Sequence, residues 1–131
     1  MKRLCVKLFA MLGVLLVSAN ALALEVEAEG GDVVAKTDDG RTWRHTILDK
    51  ENFPDRSVHV LEHHNHVYAC GEGMIYQLDG YNGSVHWRRL LPYKCSALEV
   101  VEDSVKVTVL DDHNWEGKKT ERTYEVTTSG V

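Results

Sequence analysis

Short apolar runs that alternate with polar residues recur along the chain, and turn-forming residues separate them. Alternation with a period of two predicts half-buried β-strands joined by tight turns. The clearest series spans residues 57–90, where four runs are separated by turn signals at 64–65, 71–73 and 79–83. This series predicts a four-stranded antiparallel meander that ends at Pro92. Because no amphipathic helical period occurs after residue 23, the sequence predicts an all-β fold.

Weaker series of the same kind flank the meander. Residues 33–47 predict two strands about a turn at 38–40, and a polar stretch follows at 49–56. Three further strands are predicted after the meander, at residues 97–101, 105–110 and 123–127. All the predicted strands thus lie beyond residue 32.

The first 23 residues have the pattern of a secretory signal peptide. Lys2, Arg3 and Lys7 precede an apolar run at 8–17, and the segment 18–23 then places small residues at the two positions that a signal peptidase reads. The apolar run is shorter than the roughly 20 residues that a transmembrane helix needs. The sequence therefore predicts a signal peptide at 1–23 and an exported domain at 24–131 with no membrane span. The compartment would be the ER lumen, the periplasm or the extracellular space.

The charge balance bears on possible partners. The 131-residue chain has a formal net charge of −5, and loss of Lys2, Arg3 and Lys7 would make it −8. An acidic chain without a cluster of cations argues against nucleic acid and anionic membrane surfaces as ligands. A chain of this length is expected to form a single domain with a modest core.

Two cysteines, Cys70 and Cys95, lie in the predicted exported domain. An even pair in an exported domain favours a disulfide bond. The alternative is a pair of unrelated buried thiols. The Cys-x-x-Cys spacing of a redox motif does not occur.

A possible repeat is marked by Trp43 and Trp87, which lie 44 residues apart. A period in this range is typical of one supersecondary unit repeated along a chain. The second copy is the sharper, and its pattern consists of Val67-Tyr68, Gly71, Gly73, Leu78-Asp79, Gly83 and Trp87. This pattern resembles the blade repeat of quinoprotein-like (PQQ-like) β-propellers. The resemblance implies a positive φ at Gly83 and a Trp87 side chain that fills the space between blades.

The resemblance is specific for residues 57–91 and weaker elsewhere. Gly40 precedes Trp43 by three residues instead of four, and the third copy has no matching glycine and tryptophan. We therefore expect a partial propeller made of an outer half-blade, one whole blade at 57–91 and a partial third blade. A small β-sandwich is the alternative. The predicted core comprises Trp43, Val60, Val67, Ile75, Leu78 and Trp87.

A partial propeller would leave two blade faces uncovered, since propellers usually close with four or more blades. The run at 43–45 and the blade after it are similar to the start of the luminal propeller in the subunit 1 family of the ER membrane protein complex. This resemblance implies a non-enzymatic protein-binding scaffold, with a role in membrane-protein insertion or assembly. A partner protein, or a second copy of the chain, would bind the open blade faces. No catalytic motif and no cofactor site is predicted.

Four histidines, His59, His63, His64 and His66, crowd one predicted hairpin. Imidazoles at this density predict a site for zinc, copper or nickel. The simpler interpretation is that an exposed hairpin tip tolerates polar rings. A divalent-metal-binding module is therefore an alternative function, and a fragment without independent function is another.

Overall fold

The computed structural model describes residues 24–54, 56–71, 73–111 and 119–127, and the predicted signal peptide lies outside these residues. The described residues contain ten strands: β1 (Leu24–Glu29), β2 (Asp32–Thr37), β3 (Thr42–Thr46), β4 (His59–His63), β5 (His66–Gly71), β6 (Met74–Asp79), β7 (Val85–Leu90), β8 (Lys94–Val101), β9 (Ser104–Asp111) and β10 (Thr120–Val126). They form three antiparallel sheets, β1-β2-β3, β4-β5-β6-β7 and β8-β9-β10. The predicted all-β class is confirmed. Over the same ranges, no helix has the length and apolar character to cross a membrane.

The middle sheet is the predicted four-stranded meander. Its first hairpin turns at His64 and Asn65, which both have a positive φ, 52° and 64°. Two consecutive positive φ values define a type I′ turn, whose twist matches that of the paired strands. The last hairpin turns through Gly83, with φ 77°, as the sequence predicted.

The first sheet corrects the prediction of a half-blade. Strand β1 pairs with β2 along its whole length, from Leu24 opposite Thr37 to Glu29 opposite Asp32, so this sheet has three strands. The strand was missed because it directly follows the predicted cleavage point and every second residue is a glutamate. Leu24 and Val26 nevertheless alternate with those glutamates, which is the pattern of a strand with one solvent-exposed face.

The third sheet follows the prediction with longer strands. Strand β8 begins at Lys94, three residues before the predicted start, and the sheet ends with β10. The β8–β9 hairpin turns at Glu102 and Asp103, whose φ values of 52° and 65° again define a type I′ turn. The described part of the chain therefore forms three sheets, where a sandwich has two.

The middle sheet is packed on both faces. The first strands of the three sheets, β1, β4 and β8, lie beside one another. The apolar cluster between the first and middle sheets comprises Val33, Leu48, Val58, Val67, Ala69 and Leu78. The cluster between the middle and third sheets comprises Tyr68, Cys70, Ile75, Trp87, Leu91, Cys95, Val105, Val107, Val109 and Val126. Neighbours on one strand, such as Val67 and Tyr68, thus belong to different clusters, as the pleat requires.

Most of the predicted core residues are buried. Val67, Ile75 and Leu78 are fully buried, and Trp87 is 9% exposed. Val60 and Trp43 are only partly buried, and both pack against the cluster between the first and middle sheets. Trp43 lies on the last strand of its sheet, where the sheet edge leaves part of the indole in contact with solvent.

The outer faces of the first and third sheets carry ion pairs. On the first sheet, Arg44 contacts both Glu29 and Asp32, at 2.6 and 2.5 Å, and Thr46 donates a hydrogen bond to Asp32. On the third sheet, Lys106 lies 3.6 Å from Glu125. Within the described ranges these faces are largely polar, because most of the apolar residues of both sheets point towards the middle sheet. Binding of a partner or of a second copy at these faces stays a prediction.

A disulfide bond joins Cys70 to Cys95, as predicted from the cysteine pair. It connects β5 of the middle sheet to β8 of the third sheet, and the two Cα atoms are 6.0 Å apart. Both cysteines are buried in the apolar cluster between these sheets. The bond therefore crosses a sheet interface and does not pair neighbouring strands of one sheet.

Candidate functional site

The four predicted metal ligands do not converge on one point. His59 lies at the far end of β4, opposite Cys70, and burial lowers the pKa of its imidazole. His66 lies opposite His63 across the hairpin, and its ring packs edge-on against His86 with a centroid separation of 5.2 Å. His63 and His64 lie together at the β4–β5 turn. The hairpin therefore separates the histidines into three environments.

His63 and His64 meet Asp103, a residue that the sequence did not indicate. The Nε2 atoms of His63 and His64 lie 3.5 and 3.0 Å from Oδ1 of Asp103. The Nε2 atom of His63 is also 3.1 Å from the backbone carbonyl oxygen of Asp103. Each of the three side chains offers one donor atom, and these three atoms all lie within 4.8 Å of one another. This cluster has the donor types of a divalent-metal site.

Two turns of different sheets build the cluster. The β4–β5 turn carries the histidines, the β8–β9 turn carries Asp103, and strands β4 and β8 are neighbours in space. Asp103 suits its turn because aspartate tolerates a positive φ better than most residues. Sequence reasoning placed a turn at this position, but no sequence signal linked it to a histidine hairpin 40 residues away.

A second polar cluster lies at the β6–β7 turn. Asp79 accepts hydrogen bonds from the backbone N–H groups of Tyr81 and Asn82, and Oδ2 of Asp79 is 3.3 Å from Nε2 of His86. Partial burial alone would raise the pKa of Asp79, but these three contacts together lower it. The Nδ1 atom of His86 is in turn 3.1 Å from Oε1 of the buried Gln77. The cluster holds the turn in shape, and this role accounts for all its contacts.

Trp43 connects the first sheet to the same turn. Its Nε1 atom donates a hydrogen bond to the backbone carbonyl oxygen of Gly80, at 2.9 Å. The indole lies so close to Gly83 that a Cβ atom at this position would be 2.6 Å from Cδ2 of Trp43. Trp43 therefore forms an inter-sheet joint, with Gly83 leaving the space for the ring.

An apolar pocket opens where β7 ends, near the edge of the middle sheet. Leu90 is 80% exposed, which is high for a large apolar side chain at the end of a strand. It borders a pocket of about 240 Å³ that is lined by Leu90, Leu91, Pro92 and Tyr124. Leu90 belongs to edge strand β7, and Tyr124 belongs to edge strand β10 of the third sheet. The pocket therefore lies between the last strand of the middle sheet and the first strand in the β10-β9-β8 order of the third sheet.

No family model matches the chain, and no curated protein shows significant similarity to it. The resemblance to PQQ-like repeats therefore stands on the residues of the repeat alone.

Proposed function

We propose that this protein is a non-enzymatic, exported scaffold that binds other proteins through the edge of its middle sheet. The observation that carries the proposal is the exposed Leu90 at the end of edge strand β7, beside the apolar pocket that Leu91, Pro92 and Tyr124 complete. A leucine that is 80% exposed adds little to the stability of the fold. A partner that covers this leucine would bury it together with the pocket.

The mode of binding that fits this site is strand addition. An edge strand presents backbone N–H and C=O groups that an extended segment of another protein can pair with. Such a segment would lie along β7 and place an apolar side chain in the pocket next to Leu90. Backbone pairing supplies affinity in this mode, and the pocket supplies the preference for an apolar residue.

The partial-propeller interpretation is part of the proposal. Three antiparallel sheets whose first strands lie side by side are the arrangement expected of consecutive blades. The joint between Trp43 and the turn at Gly83 supports this interpretation, because it ties the last strand of the first sheet to the last turn of the next sheet. The finer role that follows from the resemblance is help in membrane-protein insertion or assembly, in which unassembled segments expose extended apolar residues.

Site-directed photocrosslinking in the producing cell tests the proposal. A photoreactive amino acid replaces Leu90 in one variant and Phe53 in another, since Phe53 is also an exposed apolar residue, 43% exposed, but lies in the loop between the first and middle sheets. We expect a discrete protein adduct from position 90 and none from position 53. Mass spectrometry then distinguishes a partner protein from a second copy of this chain.

A second variant links the adduct to the pocket. Tyr124→Ala removes one wall of the pocket without changing the probe at position 90, and it should reduce the yield of the adduct. Equal adducts at positions 90 and 53 would show indiscriminate labelling and contradict the proposal, and so would the absence of an adduct at position 90. Circular dichroism of Tyr124→Ala, compared with the wild type, is the folding control.

A further inference from the structure

We propose that His63, His64 and Asp103 form a binding site for one divalent transition-metal ion, of the class that imidazole and carboxylate ligands prefer. Zinc is the representative ion of this class, because its sites in proteins are built from histidine nitrogen and carboxylate oxygen. The site differs from the one that the sequence indicated, since it excludes His59 and His66 and includes an aspartate of another sheet. It is also separate from the pocket at Leu90.

The two separations between a histidine donor atom and the aspartate donor atom fit a tetrahedral ion. Zinc lies about 2.0–2.2 Å from nitrogen and oxygen ligands, and tetrahedral angles then place two ligand atoms roughly 3.3 Å apart. The distances from Asp103 Oδ1 to Nε2 of His63 and of His64 are 3.5 and 3.0 Å, on either side of this value. Small rotations of exposed side chains would therefore complete the coordination of an ion by these three atoms.

The backbone explains how two consecutive residues can bind the same ion. Consecutive side chains on a strand point to opposite faces of the sheet. His64 is instead the first central residue of a type I′ turn, with φ 52°, and its ring lies beside that of His63. The ring centroids are 3.9 Å apart, and the ring planes meet at 50°.

Exposure makes the site accessible to an ion from solvent. The side chain of His63 is 15% exposed, while those of His64 and Asp103 are 67% and 76% exposed. His63 would thus supply a positioned ligand, and the two exposed groups would close on the ion. Three protein ligands leave a fourth position for water, as in zinc sites that stay open.

The bound ion would connect the β4–β5 turn of the middle sheet to the β8–β9 turn of the third sheet. Without an ion, hydrogen bonds between the two histidines and Asp103 would make the same connection, so binding must be measured directly. The disulfide bond and the apolar cluster already join these sheets. We therefore expect the ion to add stability and not to be required for folding.

Isothermal titration with Zn²⁺ on the chain, produced without a polyhistidine tag, tests the site. The wild-type protein should bind one ion per chain. The double variant His63→Gln/His64→Gln should bind about tenfold more weakly or not at all, because amides are poor zinc ligands. The matched double variant His59→Gln/His66→Gln removes the same number of histidines from the same hairpin, and it should bind like the wild type.

A third variant, Asp103→Asn, covers the case in which the first double variant does not fold. Asparagine tolerates the positive φ at this position and can still accept a hydrogen bond, but it lacks the carboxylate charge. It should also weaken zinc binding about tenfold. In a parallel melting experiment, zinc should raise the Tm of the wild type and of His59→Gln/His66→Gln, but not that of His63→Gln/His64→Gln.

Three results would overturn the proposal. One is the absence of stoichiometric zinc uptake by the wild type. Another is uptake that His63→Gln/His64→Gln and Asp103→Asn leave unchanged, which would identify adventitious binding by scattered imidazoles. The third is an equal loss of zinc binding in His59→Gln/His66→Gln, which would show that the histidines of the whole hairpin bind the ion.

Discussion

The indole of Trp43 lies directly against Gly83, a residue of a different sheet that has a φ of 77°. The contact exists because a glycine offers no Cβ atom, so the ring can approach the backbone of the β6–β7 turn. The same ring donates a hydrogen bond from Nε1 to the carbonyl oxygen of Gly80. Trp43 and Gly83 therefore form one contact that joins the first sheet to the middle sheet.

Gly83→Ala should destabilise the protein by about 3 kcal/mol or more, because the new Cβ atom overlaps the indole and also occupies a left-handed backbone conformation. Gly40→Ala is a matched control, since Gly40 has φ 87° and a Cβ atom added there would have no other atom within 4 Å. Gly40→Ala should lower the free energy of unfolding by only about 1 kcal/mol, the cost of a left-handed backbone conformation for alanine. Urea unfolding of both variants measures the difference. Equal losses would show that Trp43 does not restrain position 83.

Trp87→Ala should reduce the free energy of unfolding by about 3 to 5 kcal/mol, the usual effect of truncating a buried aromatic side chain. Trp87 is 9% exposed and packs between the middle and third sheets, with its ring centroid 6.4 Å from that of Tyr68. Trp87→Phe, which keeps an aromatic ring, should lose clearly less. Thermal unfolding by circular dichroism makes the comparison, and an unchanged Tm in Trp87→Ala would contradict the packing.

Reduction of the Cys70–Cys95 disulfide should lower the free energy of unfolding by about 3 kcal/mol, as expected for a closed loop of this length. The two cysteines are separated by 25 residues in sequence. The measurement is the Tm with and without a phosphine reductant under denaturing pre-incubation, since both sulfur atoms are buried. The control is Cys70→Ala/Cys95→Ala, whose Tm should not respond to the reductant. A wild-type Tm that is equally insensitive would argue against the bond.

His59 should make the protein less stable in mild acid. Burial holds the pKa of His59 below its ordinary value of 6.5, so the unfolded chain binds a proton at a higher pH than the folded chain. Stability therefore falls as the pH decreases below about 6.5 and levels off below the folded-state pKa. The free energy of unfolding between pH 7 and pH 5 should fall less steeply in His59→Gln than in the wild type. Identical slopes would show that His59 is as solvated in the folded protein as in the unfolded chain.

The local features of this fold could be predicted from the sequence. Residues 57–90 specify their four strands because the alternation of side chains and the turn residues act over a few positions. The buried positions Val67, Ile75 and Leu78 follow from that alternation, and the pairing of Cys70 with Cys95 follows from the count of cysteines in an exported domain. Strand β1 obeyed the same rule and was missed only because its glutamates and its position next to the predicted signal peptide concealed it.

The relationships between sheets were decided by the tertiary structure alone. Asp103 joins His63 across 40 residues, and Trp43 reaches Gly83 from another sheet. Neither contact has a local sequence signal, because each depends on how the sheets stack and on which turns then meet. The polar character of the outer faces also depends on how the sheets stack. A period of two tells which residues share a face, but only the packing of the sheets determines which face is covered.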